Sequence, residues 1–509
     1  MLSTVRKIFS GSRIEIVLKV LLVVALSVGS FSQLENGLAD NGDYTRVMTW
    51  ISSGPVGFSK NWPPSGTTDY QERFFNYWLP YWTLDFPLAS RWVTSVLLLW
   101  IPGVLLNMVL ISPSVLWLPM LSIAPRFLSI VLLLALFRWI DRHASSYRSL
   151  LYLTLCFPYI LIAIDKDYLA YFSTFYQEPA SIVFILWLVT VFIAYRRKNT
   201  RAIHVVTLGA LVFLVTEAKF SNIYWPLLAG AVTYFFFLRN MPRKRAVAYM
   251  TLIVLLPFTI SFLQSSLVGS RYANAYQSLY CGVFVFSDRP QDHLARLGLE
   301  GTEECFDIPA YTPLGEACID RHRDKMSHIN TVSVIIHEPI IALRMLRFAA
   351  DSMQRANIWY LGKNVLRNFD GQRIQAGPPA AIPILSHLKS AWSEAKRRWF
   401  PRGDLLLVAL LIFAIVFSWN VRSRNALVSD LALAGLIFTV ASPVDLWIQI
   451  FGDGKYEVIK HLLIPNMTFD LALVAFVNIL LLSMITFINQ RRYSTGLIRE
   501  TPTGGNSER

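Results

Sequence analysis

Charged side chains are scarce in this chain. Acidic and basic residues together make up 16% of its 509 positions, against about 25% in an ordinary soluble domain, which argues against a single water-soluble globule. Cysteine is scarcer still: four residues cannot staple a disulfide framework, and no C-x-x-C or Cys/His spacing suggests a structural zinc site. Redox chemistry and metal scaffolding are poor leads for that reason. What the chain has in quantity is apolar mass, 54% of its residues. Forty-seven Lys and Arg against 33 Asp and Glu leave a formal charge of +14. In a soluble protein that excess would point to nucleic acid. Here the basic residues gather in short turns between apolar runs, which is the layout of a polytopic membrane protein, and no nucleic-acid partner is expected.

A bilayer core of about 30 Å takes roughly 20 mostly apolar residues per helix. Ten runs qualify, at about 15–33, 121–139, 148–164, 179–195, 202–218, 222–238, 246–267, 404–420, 426–448 and 468–489. The basic clusters are Arg6, Lys7 and Arg13; Arg138, Arg142 and Arg148; Arg196, Arg197, Lys198 and Arg201; Arg239, Arg243, Lys244 and Arg245; Arg422 and Arg424; and Arg491 and Arg492. Ten spans with both termini cytoplasmic place every cluster inside, as the positive-inside rule asks. The stretch Trp92 to Ile111 is long enough to cross, but crossing would put Arg138 to Arg148 on the wrong side. Segmented by Pro87, Pro102 and Pro113 and flanked by interfacial tryptophans, it reads as a juxtamembrane helix. The alternative is an eleventh span, with Pro119 starting a re-entrant segment. Lys19 and the earlier basic residues before an apolar run resemble a signal peptide, but without a small-x-small cleavage site an uncleaved first helix is expected.

The expected fold is therefore an all-α polytopic membrane protein of about ten transmembrane helices, with juxtamembrane helices and a small soluble extracytoplasmic domain. Its divisions are an N-terminal membrane module over 1–267, with a first outside loop over 34–120; an outside domain over 268–403; C-terminal spans over 404–492; and a cytoplasmic tail over 493–509. Cys305 and Cys318 fall thirteen positions apart in the outside domain, in a compartment that permits disulfides, and are expected to be bonded. Cys156, inside a span, reads as an apolar filler.

Polar clusters sit in the outside turns, while the inside turns carry little except positive charge and the helix centres read as nearly charge-free. In the first outside loop Asp40 and Asp43 stand three residues apart in a Gly/Asn turn, followed by Arg46. A carboxylate held at the membrane surface can serve as a general base for an attacking hydroxyl; Asp40 can equally make turn hydrogen bonds and cap a helix. Glu178 precedes a proline that opens a span, where the helix dipole favours an anion, and its aromatic neighbours suit either an interfacial belt or a sugar platform. Lys219 lies in the third outside turn with Glu217 and Asn222. The fourth holds Asp453, Glu457, Lys460 and His461, the last three in helical phase. Cations collected there can bind a lipid phosphate and neutralise the charge of a leaving one, or Glu457 can simply pair with Lys460 or His461. Arg126, near the outer end of its span, joins such a set or snorkels.

The residues Asn36-Gly37-Leu38 with Asn41-Gly42-Asp43-Tyr44-x-Arg46-Val47-Met48, then Phe175-Tyr176-x-Glu178-Pro179-Ala180-Ser181, then Tyr280-x-Gly282-Val283-Phe284 with Leu294-x-x-Leu297-Gly298-Leu299, and finally Gly452-Asp453-Gly454 with Glu457 and Lys460-His461-Leu462, resemble a family of bacterial membrane hexosyltransferases of glycan biosynthesis. By appearance it belongs with the GT-C superfamily of lipid A aminoarabinose transferases and protein O-mannosyltransferases. The resemblance implies a sugar donor linked to a polyprenyl phosphate, a glycan or lipid-linked acceptor, a location in the bacterial inner membrane with the site extracytoplasmic, juxtamembrane helices in the first outside loop, and a catalytic acid there, a position matched by Asp43 and Asp40. The sequence departs from a common GT-C pattern in lacking an adjacent acidic pair in that loop, so the base and any need for a divalent metal such as Mg are left open; no metal ligand set is assigned. On this reading Lys460, His461, Lys219 and Arg126 bind the donor phosphate, and Arg46, Glu178, Asp453 and Glu457 contact substrate. The rival functions are a transporter or flippase of lipid-linked sugar, which would show repeats and charged or broken midplane helices, and an O-antigen polymerase or ligase.

The topology is open to direct test. A cysteine placed at Ser114 is expected to react with an impermeant thiol reagent in intact spheroplasts, whereas one at Ser145 is expected to be protected. Labelling of Ser145 from outside would mean that Trp92 to Ile111 crosses the bilayer.

Overall fold

The computed structural model describes residues 12–32, 45–54, 56, 81–90, 93–144, 147–197, 201–268, 271–310, 312–354, 365–367, 373–375, 383–456 and 458–494. Among them the chain is an all-α polytopic membrane protein. Eight helices are long and apolar enough to cross a bilayer, from Arg13–Phe31 through Leu463–Ile488. Two further apolar helices, Arg148–Ala163 and Ala202–Ala218, are a little shorter and coincide with the remaining two expected spans. Sheet is confined to two short antiparallel pairs, Tyr81–Thr83 with Val115–Trp117 and Val365–Arg367 with Arg373–Gln375.

The long helices Ala426–Asp453 and Leu463–Ser494 pack on one another and on Gly403–Asn420. Without an aqueous driving force between helices, close approach depends on small residues. Gly435 supplies it: a Cβ there would stand 2.4 to 2.7 Å from the ring of Phe417. The Pro383–Trp399 helix is fastened to the bundle by a buried polar network. The Lys396 ammonium donates to Asn466 Oδ1 at 3.0 Å and Asp470 Oδ2 at 3.1 Å, and Tyr168 donates to the same Oδ2 at 2.5 Å. Asp165 accepts from the backbone and hydroxyl of Ser393; burial, with Asp167 close by, raises its pKa.

The two ends of the bundle differ in charge. At one end Lys19 pairs with Asp141 at 2.7 Å, Tyr152 donates to the same carboxylate, and Arg196 and Arg197 converge on Asp430 at 3.3 and 3.0 Å. These belong to the basic turns read from the sequence. The other end carries Arg126, Glu178, Lys219 and the 451–462 turn. Asp430, Asp445 and Asp470 lie within long apolar helices, toward the ends of their spans, and are buried. Two of the three have cationic partners, which is how a buried carboxylate is held in a low-dielectric interior.

The Val96–Leu110 helix has 15 residues, about 22 Å at 1.5 Å per residue, the shortest of the three apolar helices that fall below full spanning length. Its N-terminal end is held at the Glu178–Lys219 end of the bundle. Ser95 donates to Leu214 O at 2.6 Å and Thr94 to Ala218 O at 3.1 Å, while Asn107 folds the chain back by bonding Ser112 O, Val115 O and the Trp117 amide. Gly103 lets the returning chain pass, since a Cβ there would meet Met120 O at 2.0 Å. Its opposite face exposes Leu105, Val109 and Leu110, as suits a helix lying against lipid.

Short helices between Arg271 and Ser352 form a packed layer at the same end. Within it Glu338 is buried; burial alone would raise its pKa, but the Asp288 amide, the Ser287 hydroxyl and His293 hold it down at about 2. Cys305 and Cys318 are joined in a disulfide, and Cys156 and Cys281 are free and buried. Burial pushes the Cys281 thiol up to about 12, which makes it a poor nucleophile. The denatured protein is therefore expected to titrate two thiols without reductant and four with it. Replacing both Cys305 and Cys318 by Ser should cost about 3 kcal/mol for a closed loop of this length; four free thiols in the untreated protein would remove the bond.

Candidate functional site

The site grows from the six residues Ser173 to Glu178, which leave the Lys166–Leu169 turn and enter the Glu178–Tyr195 helix. Thr174 fixes their path, donating to Tyr171 O at 2.7 Å and accepting from the Tyr176 amide at 2.9 Å. Phe175 inserts edge-on between Trp82 and Trp100, with ring centroids 4.9 and 5.6 Å away. Pro179, with no N–H to lose, opens the helix and leaves Glu178 buried in its first turn.

Three cations from distant parts of the chain meet this short loop. Arg126, 1% exposed, donates through Nη2 to Ser173 Oγ at 3.1 Å and through Nη1 to the Ser30 carbonyl; its Nε has no partner among the described residues. Burial this complete excludes snorkelling. The Lys460 ammonium lies 5.1 Å from the centre of the Tyr176 ring, within cation–π range, while Tyr171 donates to the Lys460 carbonyl at 3.2 Å. The Lys219 ammonium donates to Glu178 Oε1 at 2.9 Å.

Lys219 also reaches His461 Nδ1 at 3.0 Å, and His461 Nε2 stands 3.4 Å from Asp453 Oδ2. An ammonium has only donors, so Nδ1 must accept, and the ring proton then sits on Nε2 and points at Asp453. The chain of groups Glu178, Lys219, His461, Asp453 is thus two carboxylates, one ammonium and a neutral imidazole. Lys219 is able to act this way because it is extended (φ −154°, ψ 141°) between the Ala202–Ala218 helix and the Phe220–Tyr224 turn, so its side chain crosses the gap between helices.

The 451–455 turn that carries Asp453 is clamped from the layer of short helices between Arg271 and Ser352. Ser278 donates to Phe451 O at 2.5 Å, and the Lys455 amide to Cys281 O at 2.8 Å. Gly454 has φ +61°, and a Cβ there would stand 2.4 Å from the Cys281 carbonyl and 2.7 Å from the Gly282 amide nitrogen. The motif glycine Gly454 is explained by this backbone-to-backbone approach, and Gly298 by the left-handed end of the Pro290–Leu297 helix.

The structure thereby brings together Glu178, Lys219, Asp453 and His461, with Lys460 and Arg126 on the same loop. Lys460 and His461, adjacent in sequence, diverge to different partners. Asp40, Asp43 and Glu457 lie outside the described residues. Arg46 is on the Thr45–Met48 helical turn, and its side chain is likewise outside them. Among the described residues no cluster of three or more His, Cys, Asp or Glu side chains is arranged to hold a metal ion. Sequence reasoning passed over Asp445, buried in the Ala426–Asp453 helix within electrostatic reach of Lys219 and Glu178. Its signal was present, an acidic residue two positions after a proline inside an apolar run.

Fold and site together define a polytopic membrane protein with a buried polar centre at one end of its helix bundle. The chain belongs to the family described as the YfdI N-terminal transmembrane domain, which matches residues 3–496. It is 20% identical over 372 residues to the uncharacterized protein YfdI of Escherichia coli (strain K12), covering 70% of this chain and 76% of that one. Among solved structures it is similar to the archaeal oligosaccharyltransferase AglB of Archaeoglobus fulgidus in complex with an inhibitory peptide and a dolichol-phosphate. There the identity is 13%, the TM-score 0.37, and the coverage 96% of this chain. A second structure of an Archaeoglobus fulgidus oligosaccharyltransferase, tethered to an acceptor peptide, gives 14% identity, a TM-score of 0.37 and 98% coverage. The chain spans about half the length of those archaeal chains, 52% in each case.

The Glu178–Lys219 pair can be tested by a mutant cycle. Lys219→Ala strands a buried carboxylate and should cost about 3–5 kcal/mol. Adding Glu178→Gln to it should recover part of that loss in detergent melting curves. Simple addition of the two single-mutant losses would show that the pair is not coupled.

Proposed function

We propose that the protein is an integral membrane glycosyltransferase that moves a hexose from a polyprenyl-phosphate-linked donor to a glycan or lipid-linked acceptor. The observation that carries this reading is the convergence of Arg126, Lys219 and Lys460 on the Ser173–Glu178 loop at one end of the bundle, away from the basic turns. By the positive-inside rule those turns are cytoplasmic, so the site faces the extracytoplasmic side of a bacterial inner membrane.

In the reaction an acceptor hydroxyl oxygen attacks the anomeric carbon while the bond from that carbon to the phosphate oxygen breaks. The hydroxyl proton passes to a first-loop carboxylate, Asp43 or Asp40, and the bond's electron pair leaves with the lipid phosphate. Negative charge grows on the phosphate as it departs, and Lys219, Lys460 and Arg126 are the groups whose fixed positive charge answers it. Two of the Lys219 protons are engaged by Glu178 and His461, which leaves the third for a phosphate oxygen. Asp453 and Glu178 act mainly on His461 and Lys219, fixing their orientation; Arg46 and Glu457 are the further candidates for contact with substrate. The soluble layer over 268–403 is assigned to holding the 451–455 turn.

Purified protein incubated with a panel of polyprenyl-phosphate hexoses and acceptor is expected to release free lipid phosphate. Asp43→Asn, an amide that cannot take the proton, should lower turnover by about 10²–10⁴ with folding intact. Should Asp40→Asn be dead while Asp43→Asn stays near wild type, the base is Asp40. Lys460→Ala should weaken donor binding and turnover by roughly tenfold to a hundredfold. Passage of the sugar-lipid between leaflets with no phosphate released would replace the transfer reading by transport.

A further inference from the structure

Asp445 stands two residues after Pro443 in the Ala426–Asp453 helix, about 12 Å along the axis from Asp453 at 1.5 Å per residue. It is fully buried. Gln449 Nε2 donates to its Oδ1 at 3.2 Å, while Oδ2 has no hydrogen-bond partner among the described residues. Its electrostatic neighbours are Lys219, Glu178 and Tyr224. The Phe220–Tyr224 turn packs against this helix and carries Asn222, also fully buried. Asn222 uses both amide protons, on Ser181 Oγ and Val215 O at 2.8 Å each, so its Oδ1 is the acceptor left over, and it too is without a partner among the described residues.

A buried carboxylate oxygen with nothing bonded to it bears its desolvation penalty uncompensated. Scaffolding does not account for that, because an amide or apolar side chain would hold the helix better. A carboxylate within electrostatic reach of an ammonium, with a second free acceptor on the turn packed against its helix, asks for a ligand with an anionic end at Lys219 and hydroxyl donors deeper in the bundle.

We infer that Asp445 and Asn222 accept hydroxyl groups of the sugar on a lipid-linked glycosyl phosphate whose phosphate lies at Lys219. The inference rests on the transfer reading above and names the part of the site that tells a glycosylated lipid from a bare one. A hydroxyl gives a buried carboxylate a strong charge-assisted bond, and such a contact orders the ring before the attack.

The test compares binding of bare polyprenyl phosphate with binding of polyprenyl-phosphate glucose, galactose and mannose, by thermal shift on the detergent-purified full chain. Wild type is expected to prefer at least one glycosylated lipid over the bare one. Asp445→Asn should lose that preference by about tenfold or more, bind bare lipid phosphate as before, and melt at or above the wild-type temperature. Asp445→Ser carries the same readout if the amide variant does not accumulate. Full retention of the preference in both variants overturns the inference and leaves the transfer reading standing. Wild type with no preference for any of the three overturns the transfer reading itself. Stabilisation by magnesium chloride alone that disappears in Asp445→Asn assigns the free oxygens to a cation and overturns the inference.

Discussion

Lys219 reaches back 41 residues to Glu178 and forward 242 residues to His461. One ammonium thus joins the first membrane module to the turn between the last two helices. Its strength comes from where it sits: with Glu178 3% and Lys219 15% exposed at the side chain, water screens the attraction little and offers no substitute for it. The rest of the candidate site follows from that placement. His461 takes its tautomer from Lys219, Asp453 is oriented by His461, and Lys460 is carried onto the Tyr176 ring by the same turn. Removing the ammonium would unmake an arrangement rather than a contact.

The bilayer imposes the complementary constraint. Each long helix satisfies its own backbone, as it must where no water is present, so the information that locates one helix against another lies in few side chains. At the basic end these are Lys19 with Asp141 and the two arginines on Asp430. At the site end they are Arg126, Lys219 and the Lys396–Asp470–Tyr168 network. Between the ends, aromatic rings and Gly435 fill space. Polar specificity at both ends with apolar packing between them fits a bundle that must hold one geometry while surrounded by lipid as apolar as its own surface.

The spans were legible in the sequence because a run of about twenty apolar residues matches the thickness of the bilayer core and is longer than most soluble helices can bury. The Val96–Leu110 helix was legible as a long apolar run segmented by prolines. Legible too was the gathering of polar residues in particular turns. Which of them touch was not: nothing in the spacing of Glu178, Lys219 and His461 says that one nitrogen joins all three, since that depends on helix packing. Gly454 stood out as a motif residue, yet its reason is a backbone contact between two segments that periodicity cannot pair. Asp445 was overlooked for the opposite reason: a long apolar run reads as lipid-facing wall, and its high mean hydropathy masks the single carboxylate that such a run can least easily hide.

The clamp on the 451–455 turn has a consequence for how the protein is made. Glu178 and Lys219 leave the ribosome together and can pair as soon as their helices are in the membrane. The turn bearing Asp453, Lys460 and His461 comes more than two hundred residues later, after the layer of short helices that grips it and that the Cys305–Cys318 disulfide joins. The polar centre is therefore completed by its last-synthesised part, on a seat already built for it. Until then the lysine and glutamate neutralise each other.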